Sequence, residues 1–140
     1  MPITVYATDG VLSETAQKQA FAALTSSVLK LHQLVGNRFM TPNVIGEVSI
    51  IPKGRSFAAG RPENIVIVEL KLPSFGLASQ EQKEAFVSEA TDVIVQASGG
   101  RQPRERIYVN MVYAVDGLWG IGGKAYTNAD LLDAVSKAAL

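Results

Sequence analysis

The chain has 140 residues, of which 13 are basic and 13 acidic, and it contains no cysteine. Balanced charge gives no net field to attract nucleic acid or anionic lipid, and a chain without cysteine forms neither disulfides nor thiolate metal sites. No apolar run reaches the ~20 residues that span a bilayer, and no basic segment followed by an apolar stretch marks a signal peptide. We therefore expect a cytoplasmic protein, a single domain over residues 1–140, with no nucleic-acid or membrane partner.

The first half of the chain predicts a strand, a long helix and a second strand. The first strand covers residues 2–7. Ser13 is a suitable N-cap, and apolar residues at helical spacing predict a helix of about 22 residues that ends at the Gly-Asn pair 36–37. A second strand is predicted over residues 44–51, and the segment 53–64, rich in glycine and proline, reads as a hairpin-like excursion.

The second half repeats the same order. Residues 65–72 form the strongest strand pattern in the chain, and Ser79 opens a capping box before the second helix. A fourth strand is predicted over residues 107–113. The segment 114–140 then contains a glycine-rich stretch and a short C-terminal helix that begins near residue 128.

This order indicates an internal duplication of structure. The two helices begin 66 residues apart, at positions 13 and 79, so residues 2–52 and 65–113 form a pseudo-repeat. Each βαβ unit should hold two parallel strands joined by a right-handed crossover. The predicted fold is therefore α+β: a four-stranded mixed sheet with two helices on one face.

Strand alternation predicts which residues lie on the sheet face that no helix covers. The purely apolar sets must meet the helices, because strand side chains alternate between the two faces. The uncovered face then holds Pro2, Tyr6, Glu47, Ser49, Glu69, Lys71, Tyr108 and Asn110. It mixes these with large apolar residues such as Ile67, which favours an oligomer interface containing a site. The alternative is an antiparallel sheet with a solvated back face.

Pro2 carries the most specific chemical expectation. If Met1 is removed, Pro2 becomes a secondary amine, and a free α-amino group has a pKa near ~8. Burial or neighbouring cations would lower that pKa towards neutrality, where a base is most useful. The alternative is that Pro2 merely begins an edge strand, since a proline there gives up no ladder hydrogen bond.

Four features together carry a resemblance to a known family. The pair Met1-Pro2 opens directly into a strand, and two βαβ units follow. Residues 106–110, Arg-Ile-Tyr-Val-Asn, are similar to the Arg-Val-Tyr-Ile-Asn stretch of the macrophage migration inhibitory factor branch. Residues 118–126, Leu-Trp-Gly-Ile-Gly-Gly-Lys-Ala-Tyr, resemble the segment that follows it. The chain thus resembles the tautomerase superfamily, which includes 4-oxalocrotonate tautomerase, malonate semialdehyde decarboxylase and the 3-chloroacrylic acid dehalogenases.

The resemblance implies a function and a set of site residues. It implies a homotrimer with sites near subunit boundaries, a small-molecule substrate, no cofactor and no metal. Pro2 would be the general base of a keto–enol tautomerase acting on a small carbonyl or carboxylate compound. Tyr108 and Asn110 would contact substrate oxygens from a neighbouring subunit, and Arg38 falls near a site lysine of the inhibitory-factor branch. Trp119 would form an apolar wall of the site or, alternatively, pack in the trimer, as would Phe57 and Tyr126.

Lys71 and Leu72 should lie beside Pro2 if the first and third strands are antiparallel neighbours. Lys71 would then lower the pKa of the proline amine and bind a substrate carboxylate, or it would instead form a structural ion pair with Glu69 or Glu47. These two interpretations remain open from the sequence.

Two departures from the family pattern limit the prediction. The dehalogenases and the decarboxylase carry arginines just after the third strand, whereas residues 72–76 here read Leu-Pro-Ser-Phe-Gly. Dehalogenation and decarboxylation are therefore not expected. His32 is predicted to lie within the first helix as a partly buried, non-catalytic residue. The alternative function is a non-catalytic, ferredoxin-like oligomer that binds a small ligand, since that fold shares the same strand order.

Overall fold

The computed structural model describes residues 1–139, which form strands, three α-helices and two short 3₁₀ turns. The strands are β1 (Pro2–Thr8), β2 (Ile45–Ile51), β3 (Phe57–Ala58), β4 (Arg61–Pro62), β5 (Val66–Pro73), β6 (Ile107–Ala114), β7 (Trp119–Ile121) and β8 (Lys124–Tyr126). The helices are α1 (Glu14–Leu31), α2 (Gln80–Ala97) and α3 (Asn128–Lys137), and the 3₁₀ turns are Thr41–Asn43 and Arg104–Arg106.

Four of the strands form one mixed sheet in the order β2-β1-β5-β6. β1 is parallel to β2, β5 is parallel to β6, and β1 meets β5 in antiparallel register at the centre. Two βαβ units therefore lie side by side, as the sequence predicted. The excursion between β2 and β5 contains the short β3–β4 ladder, and β7 and β8 form a second short ladder.

The core lies between this sheet and the two long helices, which pack against each other on one of its faces. The side chains of Ile3, Val5, Val66, Val68 and Leu70 are all fully buried. They belong to the alternating apolar sets of β1 and β5, which lie in one cluster with buried residues of α1 and α2. The alternation thus fixes which sheet face the helices cover and leaves the other face open.

α1 is shorter than predicted. It ends at Leu31 with His32 as its C-cap, rather than continuing to residues 36–37. The chain turns at Gln33, whose φ is 56°, and the Leu34 N–H donates to the Leu29 carbonyl at 2.8 Å. This 6→1 hydrogen bond closes the helix end, which a glycine more commonly does. Val35, which the helical pattern had included, is 69% exposed.

Gly46 allows β2 to approach the beginning of β1 closely. Its φ is 154°, and a Cβ built on it would lie 1.7 Å from the carbonyl oxygen of Ile3. No side chain fits in that space, so only glycine permits this register at the first residues of the sheet.

The C-terminal segment folds back towards the N-terminal end of β1. α3 begins with a capping box formed by Thr127 and Asp130. Its last turn is held by Asn37, whose buried amide donates from Nδ2 to the Val135 carbonyl at 2.9 Å, while Oδ1 accepts from the Met40 N–H. None of the helices in residues 1–139 combines the length and the hydropathy of a membrane-spanning segment.

Candidate active site

An open cavity of about 500 Å³ lies where β1 begins. Three elements supply its walls. The antiparallel register pairs Ile3 with Leu70, so one step further along the two strands brings Pro2 beside Lys71. The parallel pairing of β5 with β6 places Val112 opposite Lys71, and β7 contributes Trp119. The cavity therefore combines a cation, an apolar wall and the N-terminal end of the chain.

The N-terminus is enclosed at this corner. Met1 is only 3% exposed, and its α-amino group donates a hydrogen bond to the carbonyl oxygen of Asn43. Burial lowers the pKa of this amine from 8.0 to about 6, because the charged form loses its hydration. The neighbouring Pro2 is half-buried. The corner therefore disfavours an ammonium group near neutral pH.

Lys71 forms an ion pair with Glu69 rather than with Glu47. Its Nζ lies 3.8 Å from Oε1 of Glu69, and the lysine side chain is 55% exposed. An exposed pair at this separation is weak and easily exchanged for another anion. The structural pair expected as one alternative is thus present, and Lys71 still faces the cavity beside Pro2.

The structure brings together only some of the residues singled out from the sequence. Pro2, Lys71 and Trp119 line the same cavity. Leu72 is fully buried in the core, so its side chain does not face the cavity. Arg38 lines a separate depression beside the C-terminal end of α3, where its backbone N–H donates to the Ala138 carbonyl at 3.1 Å.

Tyr108 and Asn110 lie further along the uncovered face. Tyr108 is paired with Ile67 and Asn110 with Glu69, so both share the face of Lys71. They line a second depression that also contains Phe57. Tyr108 is four residues from Val112 in the same strand, which at ~3.3 Å per residue corresponds to about 13 Å. Asn110 is two residues from Val112, about 7 Å by the same spacing, and neither residue lines the Pro2 cavity of its own subunit.

The remaining aromatic residue of the sequence pattern also lies elsewhere. The ring of Tyr126 packs against Phe39, with centroids 5.8 Å apart. Among the residues 1–139, no group of three or more His, Asp or Glu side chains is placed to hold a metal ion.

Sequence reasoning missed several parts of the cavity. Asn43 and Ile45, at the beginning of β2, and Tyr113, near the end of β6, all line it. Tyr113 Oη donates to the Gly76 carbonyl at 3.0 Å, and burial raises the pKa of its phenol. The alternation that placed Glu47 and Ser49 on the uncovered face also places Ile45 there, so that residue had a usable signal. No sequence pattern indicated that Asn43 or Tyr113 would line the cavity.

Comparison with solved structures identifies the architecture. The protein Pt0534, inactivated by 2-oxo-3-pentynoate, superposes with a TM-score of 0.76 at 18% identity, over 92% of this chain and 98% of that one. A symmetric trimer of fused 4-OT superposes with a TM-score of 0.76 at 14% identity, over 94% of this chain and 98% of that one. This chain has the tautomerase fold. A member of the cis-3-chloroacrylic acid dehalogenase family shares the tautomerase fold at a TM-score of 0.71 and 16% identity, over 94% of this chain and 89% of that one.

The likeness is one of structure rather than of sequence. No protein-family model and no curated protein matches the chain. The fold predicted from the sequence is confirmed, because the structures that share it include 4-OT, dehalogenase and decarboxylase proteins. At 11% to 18% identity, the tautomerase fold alone does not assign a reaction.

Proposed function

We propose that this protein is a cofactor-independent keto–enol tautomerase of the tautomerase superfamily, acting on a small 2-oxo acid with Pro2 as general base. The observation that carries the proposal is the position of Pro2 beside Lys71 in an open cavity. At the same corner, burial lowers the pKa of the Met1 amine. The proposal requires that removal of Met1 leave Pro2 as the first residue of the mature protein.

The proposed reaction is two proton transfers. The lone pair of the Pro2 nitrogen removes a proton from the carbon beside the keto group, and the C–H electron pair forms the enolate. The protonated amine then returns the proton, to oxygen to give the enol or to carbon in the reverse direction. Burial lowers the pKa of the Met1 amine at this corner. After removal of Met1, a half-buried Pro2 amine would also be favoured in its neutral form, and the positive charge of Lys71 would act in the same direction. Lys71 would also bind the substrate carboxylate.

The similar structures support the substrate class and the assembly. Pt0534 is inactivated by 2-oxo-3-pentynoate, a small 2-oxo acid, and fused 4-OT is described as a trimer. A trimer of this chain would cover exposed apolar groups such as Ile45, Val112 and Leu118. It would also allow Tyr108 and Asn110 to reach the Pro2 cavity of a neighbouring subunit, which they do not reach in their own. The subunit count is measured directly by analytical ultracentrifugation.

The test begins with the intact mass of the purified protein, which shows whether Met1 has been removed. Ketonisation of phenylenolpyruvate is then followed by absorbance. Pro2→Ala should lower kcat by about 10²-fold or more, within the usual range for loss of a general base. A tag fused before Met1 should abolish activity, because it converts the amine into an amide, whereas the same tag at the C-terminus should not. Equal activity of the two tagged proteins would contradict the proposal.

The second candidate is a binding protein without catalysis. The observation that favours it is the buried amine of Met1, bonded to the Asn43 carbonyl. While Met1 is retained, the Pro2 nitrogen is an amide without basicity, and the cavity is limited to binding. A mature protein that keeps Met1, and that binds its ligand equally well with either tag, would establish this second function instead.

A further inference from the structure

A second, inner cavity of about 240 Å³ lies behind the first, between α3, the end of β5 and the turn after α1. Its walls are mainly apolar and include Leu34, Met40, Phe75 and Val135. Of the site residues predicted from the sequence, only Trp119 lines it.

Among residues 1–139, no ionisable side chain that lines the inner cavity is free to bind a charged ligand. His32 is the one ionisable side chain that these residues contribute to its wall, and both ring nitrogens are occupied. Nδ1 donates to the Val28 carbonyl at 2.7 Å, and Nε2 accepts from the Leu77 N–H at 3.0 Å. This bonding requires a neutral ring, in keeping with the burial that lowers the pKa of His32. The cavity therefore suits an uncharged, apolar group.

Met1 separates the inner cavity from the Pro2 cavity. Met1 and Trp119 line both spaces, and Met1 is almost completely buried between them. Removal of Met1, which the proposed function already requires, vacates a methionine side chain at the shared position. The two spaces would then form one continuous site, polar at Lys71 and apolar beneath α3.

We propose that the inner cavity binds the apolar tail of the substrate, so that the preferred substrates are 2-oxo acids with an aryl or branched alkyl group. This inference rests on the proposed function. The carboxylate would lie at Lys71 and the reacting carbon at Pro2, and the tail would enter the position that Met1 vacates. The tail would contact Leu132 and Val135 of α3, which also line the inner cavity.

The size of the inner cavity fits a phenyl group. A dry cavity of ~150 Å³ holds benzene, and the inner cavity is larger, at about 240 Å³. Each buried methylene improves binding by about fourfold, and a buried phenyl group by on the order of 10- to 100-fold. We therefore expect kcat/KM for 4-phenyl-2-oxobutanoate to exceed that for pyruvate by this factor.

The main experiment measures exchange of the C3 protons of pyruvate and 4-phenyl-2-oxobutanoate in D₂O by proton NMR, with the processed protein. Val135→Phe fills the inner cavity and should reduce the ratio of the two kcat/KM values by about tenfold or more. Leu132→Trp serves as a second filling variant at a half-exposed position, in case Val135→Phe does not fold. The matched control is Val35→Phe, at a position 69% exposed that lines neither cavity, and it should keep the wild-type ratio.

An independent measurement tests occupancy without catalysis. Benzene added to the processed protein should shift the indole N–H signal of Trp119, the one tryptophan of the chain, in a saturable manner. The shift should be lost in the filling variant. Absence of exchange for both 2-oxo acids would refute the proposed function, and the role of the inner cavity would fall with it. Exchange with a ratio near one, a ratio unchanged in a folded filling variant, or no benzene shift would overturn the role of the inner cavity alone.

Discussion

Replacing Lys71 with methionine distinguishes a substrate-binding lysine from a structural one. Its Nζ is 3.8 Å from Glu69 Oε1 and its side chain is 55% exposed. Such a pair contributes ~0–1 kcal/mol, so the free energy of unfolding should change by less than about 1 kcal/mol. A hydrogen bond from a charged group to a substrate carboxylate contributes ~1.5–3 kcal/mol. Its loss should therefore lower kcat/KM for a 2-oxo acid by roughly 10- to 150-fold.

The assay is C3 proton exchange at the plateau of the pH profile, with urea unfolding measured on the same samples. A ketone without a carboxylate, such as 2-butanone, should be nearly insensitive to Lys71→Met. Glu69→Gln removes the ion pair and keeps the cation, and should not weaken binding of the 2-oxo acid. Lys71 is a structural rather than a substrate-binding residue if Lys71→Met leaves kcat/KM for the 2-oxo acid within twofold while the free energy of unfolding falls by more than about 1 kcal/mol.

Two further predictions concern stability. In protein that retains Met1, the amine pKa falls from 8.0 unfolded to about 6 folded, so the unfolded state binds more protons between these values. The free energy of unfolding should rise by up to about 2.7 kcal/mol from pH 6 to pH 8, and this gain should be lost as the pH falls. Urea unfolding of His32→Gln, which removes the imidazole titration, should show the same dependence on pH. A free energy of unfolding that does not change with pH would contradict the lowered pKa. Gly46→Ala should cost at least about 3 kcal/mol because its Cβ would meet the Ile3 carbonyl oxygen at 1.7 Å. Gly10→Ala is the control, because Gly10 has φ 89° and a Cβ there would meet no atom within 4 Å. It should lower the free energy of unfolding by only ~1–2 kcal/mol. Equal losses for Gly46→Ala and Gly10→Ala in urea unfolding would rule out the clash.

Local patterns were sufficient for most of the fold. The alternation in β1, β5 and β6 assigned residues to the correct sheet faces, because a strand with one buried face has an unambiguous period of two. The capping box at Ser79 located the beginning of α2, since its hydrogen bonds lie within four residues of chain. The end of α1 was misplaced. Gln33 adopts a left-handed turn without being glycine, and helix periodicity does not report such a turn.

The candidate site depended on contacts that local patterns do not encode. Pro2 was placed near Lys71 from the sequence on the condition that the first and third strands are antiparallel neighbours, and the pairing of β1 with β5 meets that condition. Arg38 was associated with the site by its position in the chain, and it lies beside α3 instead. Tyr108 and Asn110 share the predicted face but line a separate depression rather than the Pro2 cavity of the same subunit.

The sequence by itself determined the two βαβ units, the covered and uncovered sheet faces, and the place of Pro2 at the beginning of the first strand. These follow from periodicity, capping and turn chemistry, which act over a few residues. Only the tertiary structure decided that Met1 is enclosed beside Asn43, that Trp119 lines the cavity, and that α3 covers an apolar space behind it. Met1 and Asn43, for example, are 42 positions apart in the chain. The free energy of such contacts comes from packing that no local pattern records.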